Sequence, residues 1–220
     1  TANSGAKVYF VRVPNLPILD LRVIFSAGSA YDKQQLGLAL LTNTMIGQGS
    51  KQHNANQIAI AFDNIGAQFG TTAGRDMAVV SLRSLTQAPY LPTAISEFRQ
   101  VLAQARFSKK TLSRVKNQTL AAIKAKTQMP GDVASKAFYN AIYGNHAYAH
   151  DPLGRTKYIK RMTAADCRSF YRRYYTARNA NIVMVGDIDI KKAKSIANQL
   201  SSALPRGVAV PRIKPAIALK

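Results

Sequence analysis

The sequence predicts an α+β fold, a mixed or antiparallel sheet with helices packed on one face. Strand-like runs come in pairs near the N-terminus, amphipathic helical runs follow, and one apolar strand returns late. That order differs from the regular alternation of a parallel βαβ series. No internal repeat is present.

The elements follow in order. "KVYFVRV" (7–13) and "DLRVIFSAG" (20–28) are alternating or rich in branched residues, with "PNLPI" between them, and read as two neighbouring strands. "QLGLALLTNTMIGQGS" (35–50) is apolar on nearly every side up to Gly47, the pattern of a buried helix with a glycine exit. "NANQIAIAFDNIGA" (54–67) is an amphipathic helix, and 68–85 alternates as two strands turning at Ala73 and Gly74. Pro92 opens a helix to about Gln104, with Ile95, Phe98 and Leu102 on one side. Ser108 caps the next, where Leu112, Val115, Thr119, Ala122 and Ile123 recur at helical spacing. Residues 131–144 form a short helix. Thr163 and Asp166 make a capping-box start for "TAADCRSFYRRYYTAR", whose Phe170, Tyr171, Tyr174 and Tyr175 fall mostly on one side as core. "NANIVMVGDID" (179–189) is a buried strand with a turn, and 190–203 a last helix. Residues 1–204 are thus one domain, and 205–220, with three prolines, an extended linker or tail.

Composition narrows the chemistry. Thirty-one Lys and Arg against ten acids give a formal charge of +21, and 106–178 holds 16 of the bases beside only Asp132, Asp151 and Asp166. Such a field favours an anionic partner, acidic protein, nucleic acid or membrane surface, although basic composition alone also accounts for it. No apolar run is long enough to span a bilayer. The single cysteine, Cys167, excludes an internal disulfide and lies on an apparent helix beside Phe170, where it is expected to be buried and inert. Glu97 is the only glutamate, and no histidine lies within 40 residues of it. No Ser-His-Asp spacing or nucleophile elbow is present, "GQGS" included.

"NHAYAH" (145–150) has the four-residue histidine spacing of a zinc helix but no glutamate between the histidines. Gly144, Pro152 and Gly154 flank it and argue against a helix. Asp151 would supply a third ligand in a loop. The reading preferred is that His146 and His150 are loop residues packed against Tyr143 and Tyr148.

"AGSAYD" (27–32), then Gly37, Ala39, Met45, Gly49 and Ser50, then "GAQFGTTAGRDMAV", resemble the N-terminal domain of the pitrilysin/insulinase metallopeptidase family, which includes the mitochondrial processing peptidase subunits. Residues 143–189 extend the likeness, from tyrosine-glycine through "GRTKYI" and a helix ending Tyr174-Tyr175 to a strand ending Val185-Gly186-Asp187. The resemblance covers about 7–203. It implies a zinc site with histidine at Leu40, the glutamate base at Asn43, histidine at Thr44 and a third ligand near Ala122, give or take a residue or two. None of these side chains does its family job, so zinc is not expected to bind and no cofactor is implied.

The resemblance therefore implies a non-enzyme: a zinc-less subunit or domain that shapes the chamber beside a zinc-bearing homologous peptidase subunit. Peptide is expected as an added strand along Gln68, Phe69, Gly70, Thr71, Thr72 and Ala73, a role that needs open backbone rather than particular side chains. The family's usual second domain is missing from this sequence, which suggests a fragment or an excised domain. The alternative is a stand-alone binding module for an anionic partner. Nucleic acid is disfavoured by the lack of any recognised motif. The expected compartment is a bacterial periplasm or cell envelope, with the mitochondrial matrix as the alternative.

Overall fold

A computed structural model describes residues 1–216. The last four residues of the proline-rich tail read from the sequence, 217–220, lie outside the described residues. Five strands form one sheet: β1 (Lys7–Arg12), β2 (Ile18–Phe25), β3 (Gln68–Ala73), β4 (Ala78–Leu85) and β5 (Ala180–Gly186), in the order β1-β5-β2-β4-β3. β1 and β5 are parallel and every other pairing is antiparallel. The helices are α1 (Leu38–Ile46), α2 (Ala55–Asp63), α3 (Tyr90–Ala103), α4 (Lys109–Lys126), α5 (Pro130–Tyr143), α6 (Thr156–Arg161), α7 (Ala164–Tyr174) and α8 (Ile190–Ser202).

Helices cover one face, as the alternation in the strands requires. Leu21, Val23 and Phe25 of β2, Val80 and Leu82 of β4, and Ile182 and Met184 of β5 point into a single core with Leu41, Met45, Phe98, Leu102, Ile196 and Leu200. α1, α3 and α8 pack directly on strands, while α4 and α7 flank α1. The sheet's other face is open, and Asp20 and Arg83 form a bidentate pair there, with both N–O distances at 2.8 Å. That guanidinium holds the Asp20 carboxyl below its ordinary range.

The first two strands are not neighbours, contrary to the sequence expectation. β5 lies between them, in register with Tyr9 opposite Val183 and Arg22 opposite Val183. "ANIVMVG" carries no charge and gains most from a central position, whereas β1 carries Lys7 and Arg12 and tolerates an edge. The connection passes around the end of β5: Val13 N–H donates to Gly186 O at 3.0 Å and Asp187 N–H to Ile18 O at 3.1 Å.

Capping explains the helix starts. Asn54 with Gln57, and Thr163 with Asp166, form complete capping boxes; Ser108 and Asp189 cap α4 and α8. α6 is not among the helices read from the sequence. Its last carbonyls are capped from another element, since Lys116 Nζ donates to Lys160 O at 2.6 Å and Met162 O at 3.0 Å. Residues 205–216 have no helix or strand, yet they touch the body: Ala177 N–H donates to Pro205 O, and Lys214 O lies 2.8 Å from His146 Nε2.

The loop before α6 locks against the start of α1. Gly154 has φ +78°, and a Cβ there would meet Leu36 O at 2.1 Å. Gly131, by contrast, has open space around it in the first turn of α5. In urea denaturation Gly154→Ala is expected to cost about 3 kcal/mol or more. Gly131→Ala should be neutral or stabilising by up to about 1 kcal/mol.

Candidate functional site

The candidate site is built around α1. Its first turn is held by Asp32, whose carboxylate accepts from Gly37 N–H at 2.6 Å and Ala39 N–H at 2.7 Å. A carboxylate there satisfies two orphan donors and meets the positive end of the helix. Asp32 is fully enclosed; burial pushes its carboxyl up, opposed by His150 and the two N–H groups. His150 Nε2 stands 3.4 Å from Asp32 and 3.0 Å from Ser29 O. This corrects one half of the histidine reading. His146 does pack on Tyr143 and Tyr148, with Tyr148 N–H donating to its Nδ1 at 3.2 Å, but His150 turns inward to Asp32.

Leu40, Asn43 and Thr44 follow on α1 and differ in surroundings. Leu40 is half-buried and lines a cleft of about 520 Å³ with Ala73, Arg75, Lys126, Lys136, Tyr139 and Asp151. Asn43 points into the core: its Nδ2 donates to Tyr175 Oη at 3.1 Å and reaches Val79 O at 3.4 Å. Its Oδ1 is buried with no partner. Thr44 is half-buried. Ala122 is exposed on α4, and the neighbouring Ile123 packs against the core instead.

The residues present do not fit a catalytic zinc ion. Leu40 and Ala122 carry no donor atom, and Asn43 commits its amide nitrogen to Tyr175. One neutral amide oxygen and one hydroxyl are poor zinc ligands, and neither accepts a proton near neutral pH.

The edge strand β3 ends at this cleft. It pairs with β4 on one side and has no strand partner on the other among the described residues. Phe69 is an anchor rather than a contact surface. Its ring stacks on Phe62 at 5.2 Å and approaches Phe98 at 6.1 Å, close over Gly47 at the end of α1. Gln68 and Thr72 are exposed, Gly70 and Thr71 half-exposed, and Ala73 opens into the cleft. Beyond it, Arg75 lies 3.5 Å over the Tyr139 ring and donates from Nε to Tyr148 O at 3.1 Å. The Tyr148 hydroxyl binds Asp76, and that bond pushes its pKa up to about 12. Lys126 bridges Asp151 at 3.0 Å and Asp132 at 3.6 Å.

Two further groupings were not legible from spacing. His53 Nδ1 approaches Glu97 Oε2 at 3.5 Å, so the only glutamate does meet a histidine, brought by the 48–54 turn to α3. No linear motif signals that pairing. Asp32 was readable as an acid five residues before the glycine that opens an apolar helix.

A family profile described as insulinase (peptidase family M16) matches residues 7–156, and one described as the peptidase M16 inactive domain matches 161–218. The chain belongs to the insulinase family. A crystal structure of a peptidase M16 inactive domain from Pseudomonas fluorescens is 40% identical, with a TM-score of 0.96, over 99% of this chain and 53% of that one. The first half of the periplasmic protease PqqL from Escherichia coli superposes with a TM-score of 0.90 at 22% identity, over 100% of this chain and 48% of that one. An uncharacterized zinc protease of Rickettsia felis is 24% identical over 205 residues, 93% of this chain and 49% of the relative. This insulinase-family chain thus spans about half the length of the relatives it matches.

Cys167 is fully buried, and burial pushes its thiol up to about 11. Native protein at pH 8 should therefore resist maleimide labelling and react fully once unfolded. The stability linked to this thiol is complete below about pH 9, its ordinary value, and is lost as pH rises toward about 11, because the folded state then holds a proton that the unfolded state releases. A steep decline from pH 6, abolished in Cys167→Ala, would contradict this.

Proposed function

We propose that this chain is a non-catalytic domain of an insulinase-type peptidase assembly in a bacterial periplasm. It pairs with a zinc-bearing family member, shapes the chamber beside it and holds peptide as an added strand on the open edge of β3. The observation that carries this reading is the coexistence of α1 residues that do not fit zinc with an open strand edge. Leu40 and the inward-turned Asn43 offer no metal chemistry, yet among the described residues β3 keeps an unpaired edge that runs into a cleft. Strand addition uses backbone groups, so it survives loss of the ligands. The match to the inactive-domain profile and the periplasmic description of the PqqL relative support the same reading.

A second reading, a module for an anionic partner, is favoured by the charge of +21 and by the outward Lys109, Lys110, Arg114 and Lys124 on α4. Salt separates the two, since a polyanion complex weakens steeply as salt rises.

The direct test mixes this chain with the zinc-bearing family member from the same genome. A salt-resistant complex is expected, cleaving an extended peptide at least about tenfold faster than the zinc chain alone, a difference of about 1.4 kcal/mol. Peptide N-methylated at alternate residues should bind at least about tenfold more weakly, because each lost backbone bond contributes about 0.5–1.5 kcal/mol. Equal binding of methylated and unmodified peptide would remove the β3 role.

A further inference from the structure

A helix on the surface of a domain normally turns its apolar side inward, and α5 does the reverse. Asp132, Lys136, Tyr139 and Tyr143 recur at helical spacing along one side of it. That side faces the body, because Asp132, Lys136 and Tyr139 line the cleft at the end of β3. Phe138 and Ile142 face outward, 59% and 44% exposed, and no residue of α5 is buried. The cleft thus has a charged wall where ordinary helix packing would supply an apolar one.

The charges in the cleft are not equally committed. Lys126 is held by Asp132 and Asp151, and Asp151 also accepts from Leu153 N–H at 2.9 Å. Among the described residues no carboxylate pairs with Arg75 or with Lys136. Arg75 is nonetheless held in place. Its guanidinium lies on the Tyr139 ring and its Nε donates to Tyr148 O, which leaves the two terminal nitrogens as a fork. A planar fork of that kind matches one carboxylate through two parallel hydrogen bonds. Leu40 on α1 and Ala73 at the end of β3 add apolar surface for the stem of a side chain.

We propose that this cleft is a specificity pocket for an acidic side chain of the peptide held on β3; the inference rests on the strand addition proposed above. Residues opposite one another on adjacent strands send their side chains to the same face of a sheet. Ala73 opens into the cleft, so the peptide residue opposite Ala73 does too, and the small alanine leaves it room. An Asp or Glu at that position sets its carboxylate on the Arg75 fork, with Lys136 as the second cation of the cleft. A phosphate group fits less well, because Asp132 and Asp151 stand in the same cleft and oppose a second negative charge. A basic side chain meets Arg75 and Lys136 with no free acid to receive it, since Lys126 engages both aspartates.

The test is fluorescence anisotropy of the full chain with labelled peptides at about 0.15 M salt, where distant charges are screened. The peptides share one extended host sequence and carry Glu, Gln or Lys at a single central position. Glu is expected to bind at least about tenfold tighter than Gln, as hydrogen bonds to a charged group do, and Lys no tighter than Gln. Arg75→Gln with Lys136→Gln should bring the Glu-to-Gln ratio below about twofold. Lys136 is exposed, so Lys136→Gln alone should lower the ratio about threefold at an unchanged melting temperature. That single change carries the result if the Arg75 variant does not fold. Lys191→Gln on α8 removes the same charge away from the cleft and should leave the ratio as it is. Equal binding of the Glu and Gln peptides, with both weakened by N-methylation, overturns the acidic pocket and leaves strand addition standing. A Glu preference that persists without Arg75 and Lys136, or that falls equally in Lys191→Gln, also overturns it and assigns the preference to the overall charge of the molecule. No binding of any peptide, or binding indifferent to N-methylation, overturns both the pocket and the strand on which it rests.

Discussion

The buried Asp32 carboxylate is the interaction on which the site depends. It lies where the turn after β2, the start of α1 and the loop carrying His150 meet, and it bonds to all but the turn itself. An enclosed carboxylate without partners costs several kcal/mol, so the surrounding chain has little freedom to move away from it. Its bonds to Gly37 and Ala39 set the direction in which α1 leaves the turn. That direction decides that Leu40 reaches the cleft while Asn43 reaches Tyr175 in the core. The loop completes the arrangement, because Gly154 passes so near Leu36 that no side chain fits between.

Much of this was legible in local sequence because local chemistry decides it. The capping box at Thr163, the glycine exit of α1, the alternation of β4 and the apolar run of β5 each depend on a few adjacent residues. The failures share the opposite property. That β5 enters between β1 and β2 is set by which strand gains most from a central place, a comparison across 170 positions rather than within a window. His53 meets Glu97, and His150 meets Asp32, only after the sheet and the helical layer have formed. The apolar pattern located α1, but not the turn of Asn43 inward to Tyr175. α5 was recognised as a helix, yet its direction of exposure follows from what it does not pack against.

Asn43 on α1 is a small structural asset with one defect. Asn43 ties α1 to α7 through Tyr175, whose ring also packs on Phe25 at 4.7 Å, so one amide links the helical layer to the sheet. Its buried oxygen lacks a partner, an expense of about 1–3 kcal/mol that a fully apolar residue would avoid. Nearby, Lys126 sits between two aspartates, Arg75 lies on Tyr139 and Lys116 reaches over the end of α6.

The central position of β5 also has a consequence during synthesis. β1 and β2 leave the ribosome first, but the strand that joins them is completed only at Gly186. At 5–20 residues per second the interval between the end of β2 and the start of β5 is roughly 8–30 s. Throughout that time the two earliest strands have no native partner on their inner edges, apart from the pairing of β2 with β4. Pro14 and Pro17 lie in the short connection between them, where each removes a backbone donor and opposes a tight hairpin. The connection therefore opposes direct pairing of β1 with β2 before β5 is made.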